Sequence, residues 1–170
     1  MSRITLPLTL LLAVALSACG GWALRGSGAG GPSLERVALV SSGANVVAAA
    51  MRVRLIEFGI EEVPVTADPE ATLRIANERF DRDVLSVDPS TGRVTEVLLT
   101  LQIDVRVDNA EGETVIPEER LEFRRDYVFD ADALLGAVQQ ESVQQSDLAQ
   151  DAAVSILLRL EAVESPAAAQ

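Results

Sequence analysis

A chain of 170 residues that is 48% hydrophobic is long enough to build one domain with a real core. Its net charge is −12, and all 14 basic residues are arginine, an acidic balance that argues against broad nucleic-acid binding. With no lysine, no histidine and a single cysteine, Cys19, the familiar Ser–His–Asp, Cys–His and Ser–Lys catalytic sets and the Cys/His metal sets cannot be assembled.

The first element is a targeting segment. Arg3 supplies a positive start, and Ile4 to Ala18 then runs without charge. That run is shorter than the ~20 residues a bilayer span needs, and it ends in small residues. Residues 1–18 therefore read as a secretory signal peptide. The run closes on Leu16-Ser17-Ala18-Cys19, an order that resembles the bacterial lipobox. In that motif the cysteine thiol is acylated and becomes the first residue of the mature chain, so Cys19 is the expected lipid anchor. Gly20 follows it instead of aspartate, and the resemblance then implies delivery to the outer membrane. Residues 19–33, rich in glycine and carrying Trp22, read as a tether between anchor and domain.

The domain is expected over residues 34–163. Leu34 to Ser42 reads as a short buried strand. A helix follows, with Val47, Met51, Leu55 and Phe58 on one face, Asn45 as its cap and Gly59 as its stop. Pro64 and Pro69 mark residues 61–71 as a connection. Three long extended segments come next, Thr72 to Asp88, Arg93 to Asp108 and Thr114 to Phe129, joined by the turn signals Pro89–Gly92 and Asn109–Glu113. The middle one is the clearest. Val97, Leu99, Leu101, Ile103, Val105 and Val107 fill one face, and Glu96, Thr100, Gln102, Asp104, Arg106 and Asp108 the other. That alternation describes an antiparallel sheet with one covered and one wet face. In the third segment Val115, Leu121, Phe123 and Tyr127 continue the covered face, and Pro117 marks a bulge or an edge. A closing helical stretch, capped by Asp130 or Asp132, carries Leu134, Val138, Leu148, Ala152 and Ile156, with a polar interval at 139–147 where it could break. Residues 164–170 read as a disordered tail. The expected architecture is an α+β two-layer sandwich: two helices on a four-stranded mixed, mostly antiparallel sheet.

One stretch breaks the pattern. Asn77 to Asp83 places charge on both faces of its strand, Glu78 and Arg82 on one, Arg79, Asp81 and Asp83 on the other, with Phe80 the only apolar residue. A strand wet on both sides projects past the helices. The first hairpin is therefore expected to stand out from the sandwich, stabilised by cross-strand charge pairs or built to enter a polar cavity of a partner.

The whole layout resembles the lipopolysaccharide-assembly lipoproteins of the LptE family. The resemblance rests on "LSACGGWALRG", on the central hairpin "STGRVTEVLLTLQIDVRV", and on "FRRDYVFDADALLG" followed by "LAQDAAVSILLRL". It implies a non-enzymatic outer-membrane lipoprotein on the periplasmic side that plugs the LptD barrel as its heterodimer partner. The pair then inserts lipopolysaccharide into the outer leaflet. It further implies lipopolysaccharide contacts at Arg93, Arg124 and Arg125, and barrel docking through the hairpin residues Arg79, Arg82, Ser90, Thr91 and Gly92. The chain departs from the family in having no lysine, with Ser90 and Thr91 where some relatives carry a basic residue. No cofactor, metal or nucleic acid is implied. A competing reading is an auxiliary lipoprotein of another envelope lipid-transport system. A further one is an anchored carbohydrate hydrolase, which requires two carboxylates about 5–9.5 Å apart in a cleft.

Overall fold

The computed structural model describes residues 34–129 and 134–164. The signal segment 1–18, Cys19, the tether 19–33, the caps Asp130 and Asp132 and, beyond Glu164, the tail lie outside the described residues. Within them the chain runs β1 (Arg36–Ser42), α1 (Asn45–Glu57), β2 (Glu61–Glu62), a single 3₁₀ turn (Val65–Ala67), β3 (Ala71–Val87), β4 (Val94–Asn109), β5 (Thr114–Val128) and α2 (Leu134–Glu164).

The strands form one sheet in the order β2-β1-β3-β4-β5. β1 lies parallel to both β2 and β3, and β3–β4–β5 is an antiparallel meander. The α+β sandwich is as expected, with five strands instead of four. The extra strand is a two-residue edge that follows directly from the end of α1. There Gly59 adopts φ +73°, a left-handed conformation that glycine takes without steric cost. Its N–H reaches the Ile56 carbonyl at 3.1 Å and the Ile60 N–H the Leu55 carbonyl at 2.8 Å, the paired closure of a Schellman cap. The chain leaves that cap alongside β1, where Glu61 N–H donates to the Glu35 carbonyl at 2.8 Å and Val63 N–H to the Val37 carbonyl at 3.0 Å. Two residues before a proline carry no strand signal of their own.

Both helices cover one face of the sheet. Val47, Met51 and Leu55 of α1 and Leu148, Ala152, Ile156 and Leu160 of α2 pack with the inward residues of β4, all within one apolar cluster. α2 is unbroken through its polar interval. Glu141 and Asp147 keep that interval on the sheet by pairing with Arg82 and Arg125. Three residues expected on the covered faces are not there. Phe58 is half exposed because α1 ends at Glu57, and Val138 is exposed while Ala137 turns inward. Val115 is exposed and Ile116 takes its place opposite Val107. The cause is a register shift between Val105 and Val107 that leaves Pro117 and Glu118 unpaired on the edge strand β5.

A second bulge has larger consequences. β1 ends opposite Ala76, and between Ala76 and Arg79 the pairing of β3 with β4 slips by a residue. Asn77 stands there at φ +55°, which asparagine tolerates better than other non-glycine residues. Its Nδ2 donates to Asp104 Oδ2 at 2.8 Å. Glu78 is thereby turned toward α1, whose N-terminus has no side-chain cap of its own. The Glu78 carboxylate accepts the Val47 N–H at 2.7 Å and the Val46 N–H at 3.3 Å. The cap expected from Asn45 therefore comes from a residue far along the chain, and its negative charge also complements the helix dipole. Asn77→Ala is expected to cost about 1–2 kcal/mol in urea unfolding, from left-handed strain and a lost hydrogen bond, and Asn77→Gly distinctly less. Equal losses in the two variants would count against the strained bulge.

Candidate functional site

The slip at Asn77 decides which side chains of β3 meet which face. Before it, Leu73 and Ile75 point to the helices; after it, Phe80, Arg82 and Val84 do, opposite Leu101, Leu99 and Val97. Arg79, Asp81 and Asp83 lie on the open face. From Asn77 onward β3 has lost its β1 neighbour, so β3, β4 and β5 continue as a three-stranded arm rather than a two-stranded hairpin.

The expectation of an arm wet on both sides holds only at its far end. As far as Val97 the inner side of β4 is covered, with Val97, Leu99 and Leu101 fully buried. There Arg82 Nε pairs with Glu141 Oε2 of α2 at 3.3 Å, and its guanidinium carbon stands 4.9 Å from the Phe129 ring centroid. Tyr127 also donates to Glu141, at 3.1 Å. Burial pushes the Tyr127 hydroxyl above its usual range.

The open face is a ladder of paired charges. Arg74 and Arg106 both reach Asp108, at 3.1 and 2.8 Å. Arg120 grips Asp104 with two nitrogens, at 2.8 and 3.0 Å. Both aspartates are nearly inaccessible although neither described helix lies over them, because arginine stems and cross-strand neighbours enclose them. The Arg120 hydrogen bond, with help from Asn77, holds the Asp104 carboxyl below its ordinary range. At Asp108 burial pushes upward, and the bonds from Arg106, Arg74 and Thr114 outweigh it, so the net shift is down. Farther along, a shallow depression of about 310 Å³ is lined by Arg79, Asp81, Thr100, Gln102, Glu122 and Arg124. Arg79 is held by Asp81 at 2.7 Å, and Glu122 accepts from Gln102 at 2.9 Å and pairs with Arg124.

At the tip, one carboxylate oxygen organises the turn. Asp88 Oδ1 accepts the Ser90 and Thr91 N–H groups, each at 2.8 Å, and their hydroxyls at 2.6 and 3.1 Å. Gly92, at φ +70°, brings the strand back, its N–H on the Asp88 carbonyl at 2.8 Å. Led by the Ser90 hydroxyl, these donors hold the Asp88 carboxyl down at about 2. A depressed carboxyl contributes stability that is present above its ordinary value of 3.8 and is lost as pH falls through about 2. The Ser90 and Thr91 amide resonances are thus expected to stay constant from pH 7 to ~4 and to move together below ~3. A joint midpoint near the ordinary aspartate value would contradict the clamp.

The arginines singled out in the sequence do not converge. Arg124 and Arg125 are neighbours in sequence and point to opposite faces. Arg125 reaches inward to Asp147 at 2.8 Å and Asp151 at 2.7 Å, one turn apart on α2. Arg124 lies in the open depression opposite Thr100. Arg93 sits at the tip, seven residues along β4, which in an extended strand is roughly 20 Å away. Ser90 and Thr91 are engaged by Asp88. Sequence reasoning missed the roles of Asn77, Glu78, Asp88 and Asp104. Asp88 preceding Pro-Ser-Thr-Gly carries a turn signal that points to its role; for the other three no local signal exists. Among the described residues no group of three His, Cys, Asp or Glu side chains is placed to hold a metal ion.

One family model matches the chain, and several solved structures share its fold. The model of the family described as LptE, lipopolysaccharide-assembly, matches residues 34–160. Among solved structures, rare lipoprotein B from Shewanella oneidensis is 23% identical, with TM-score 0.64, over 76% of this chain and 96% of that one. Lipoprotein B from Nitrosomonas europaea is 26% identical, with TM-score 0.62, over 88% of this chain and 94% of that one. A minor lipoprotein from Acinetobacter baumannii is 22% identical, with TM-score 0.61, over 76% and 92%. No protein of curated function matches significantly. The matched span runs from the start of β1 to within the last turns of α2 and takes in every strand of the sheet, and on that match the chain belongs to the lipopolysaccharide-assembly family LptE.

Proposed function

We propose that this chain is an outer-membrane lipoprotein, held on the periplasmic side by acyl groups on Cys19, that occupies the lumen of the LptD barrel. There it helps insert lipopolysaccharide into the outer leaflet. The family match over residues 34–160 carries the reading. The open face supports it: a strip of charges already paired within the chain meets a polar barrel wall without leaving a desolvated ion alone. In this reading Arg79 and the tip residues Ser90, Thr91 and Gly92 face the barrel, with Arg82 bracing the arm on α2 through Glu141. Arg93 and Arg124 meet lipopolysaccharide phosphates, to which arginine binds through paired N–H donors. Arg125, engaged by Asp147 and Asp151, supports the surface from behind. The chain acts by binding and positioning, with no bond made or broken.

The test is purification of the acylated chain from native membranes in mild detergent. A large outer-membrane barrel protein is expected to accompany it in equal amount. Recovery as a free monomer, or with an inner-membrane transporter, would refute the plug.

A further inference from the structure

Along the ladder of the open face, Asp104 serves Arg120, Asp81 serves Arg79 and Glu122 serves Arg124. At the end of the sheet away from the tip, one carboxylate serves two arginines. Arg74 and Arg106 stand directly opposite each other on β3 and β4. Their Nε atoms reach the two oxygens of Asp108, at 3.1 and 2.8 Å. Like charges placed directly across a strand pair are destabilising, and a local conflict of this kind is characteristic of functional sites. Asp108 is only 5% exposed, whereas the two arginine side chains are 47% and 41% exposed. A partner can therefore reach the guanidinium groups and not the carboxylate beneath them.

The two arginines border a depression of about 310 Å³ together with Asp68, Thr72 and Asn109. At its rim Arg36 of β1 donates to the Ala67 and Asp68 carbonyls. Three arginines thus stand against two aspartates, Asp68 and Asp108. The local surplus is one positive charge, in a chain whose net charge is −12. Arg106 lies twelve residues along β4 from Val94, roughly 40 Å in an extended strand, so this place is separate from the tip of the arm.

We propose that this end of the open face docks an acidic segment of a protein partner, one of whose Asp or Glu carboxylates enters the depression between Arg74 and Arg106. A single carboxylate matches the surplus of one charge, and guanidinium groups take carboxylates through paired N–H donors. A phosphate dianion would bring a second negative charge against Asp68 and the acidic chain, which selects the carboxylate. The proposal goes beyond the plug reading and does not require it.

The test uses the full-length chain in uncharged detergent at low salt and three probes: a blocked pentapeptide with one glutamate, its glutamine counterpart, and inorganic phosphate. The glutamate peptide is expected to move the Arg74 and Arg106 Nε–H resonances saturably, with a roughly millimolar Kd, and the glutamine peptide to leave them in place. Arg74→Gln removes the surplus charge and leaves Asp108 with Arg106 and Thr114. It is expected to weaken glutamate-peptide binding about tenfold, read on Arg106, with its fold checked by thermal unfolding. Arg52→Gln takes the same charge from a one-to-one pair with Glu62 on α1 and is expected to leave binding unchanged. Absence of saturable movement, or equal response to the two peptides, would overturn the proposal on the unaltered chain alone. Equal weakening in the two variants would also overturn it, because only the overall charge would then matter. Tighter binding of phosphate than of the glutamate peptide would assign the place to a phosphorylated ligand and overturn it too.

Discussion

Leu101→Ala is expected to lower the stability of the domain by about 3 kcal/mol, and its melting temperature by roughly 10 °C. Leu101 is fully buried on β4, the strand with a long antiparallel neighbour on each side, directly between Phe80 of β3 and Phe123 of β5. Truncation removes its transfer free energy and leaves a void that two paired strands cannot close by shifting. Leu98→Ala, three residues away on the open face and only partly buried, is the internal control and is expected to cost under about 1 kcal/mol. Urea denaturation of both variants checks the pair. Similar losses would mean that β4 is not inserted in the register described, since a slip of one residue exchanges the two faces.

The second large effect concerns location. Cys19→Ala is expected to move the chain from the membrane fraction to the soluble fraction in cells that lack the proposed barrel partner. An acyl chain contributes about 0.8 kcal/mol for each buried methylene, and stable anchoring takes more than one chain. No described helix is long and apolar enough to cross a membrane, so the domain itself supplies no helical span to replace the anchor. The barrel must be absent because the proposed docking would retain the variant by a separate route. Membrane retention of Cys19→Ala under those conditions would refute the lipid anchor.

Much of the fold was legible because β4 obeys a strict period of two, which fixes both a covered and a wet face over its whole length. The stripe of Val47, Met51 and Leu55 likewise placed α1, and Gly59 its end. Reading failed where a phase changed. Counting back from Leu121 in steps of two puts Val115 inward, and the one extra residue at Pro117 and Glu118 reverses that count. Val138 was assigned by helical spacing from Leu134, yet Ala137 is the residue that turns toward the sheet. The candidate site was legible as a region and not as a geometry. Charge on both sides of β3 located the arm, and the alternation of β5 already puts Arg124 and Arg125 on opposite faces, but nothing in the string told which partners each would meet.

The sequence by itself determined the class of fold, the acidic and lysine-free surface, the family and the region in which to seek function. The fold class and the charge depend on composition and on periodicities within single elements, and the family on a resemblance of whole motifs in order. The tertiary structure alone decided how the arm is held. Asn77 bonds a carboxylate on the next strand, Glu78 caps a helix that starts 33 residues before it, and the resulting slip chooses which arginines face outward. A strand's phase is a local property only until a bulge shifts it, and this bulge is stabilised by partners that lie far away in sequence.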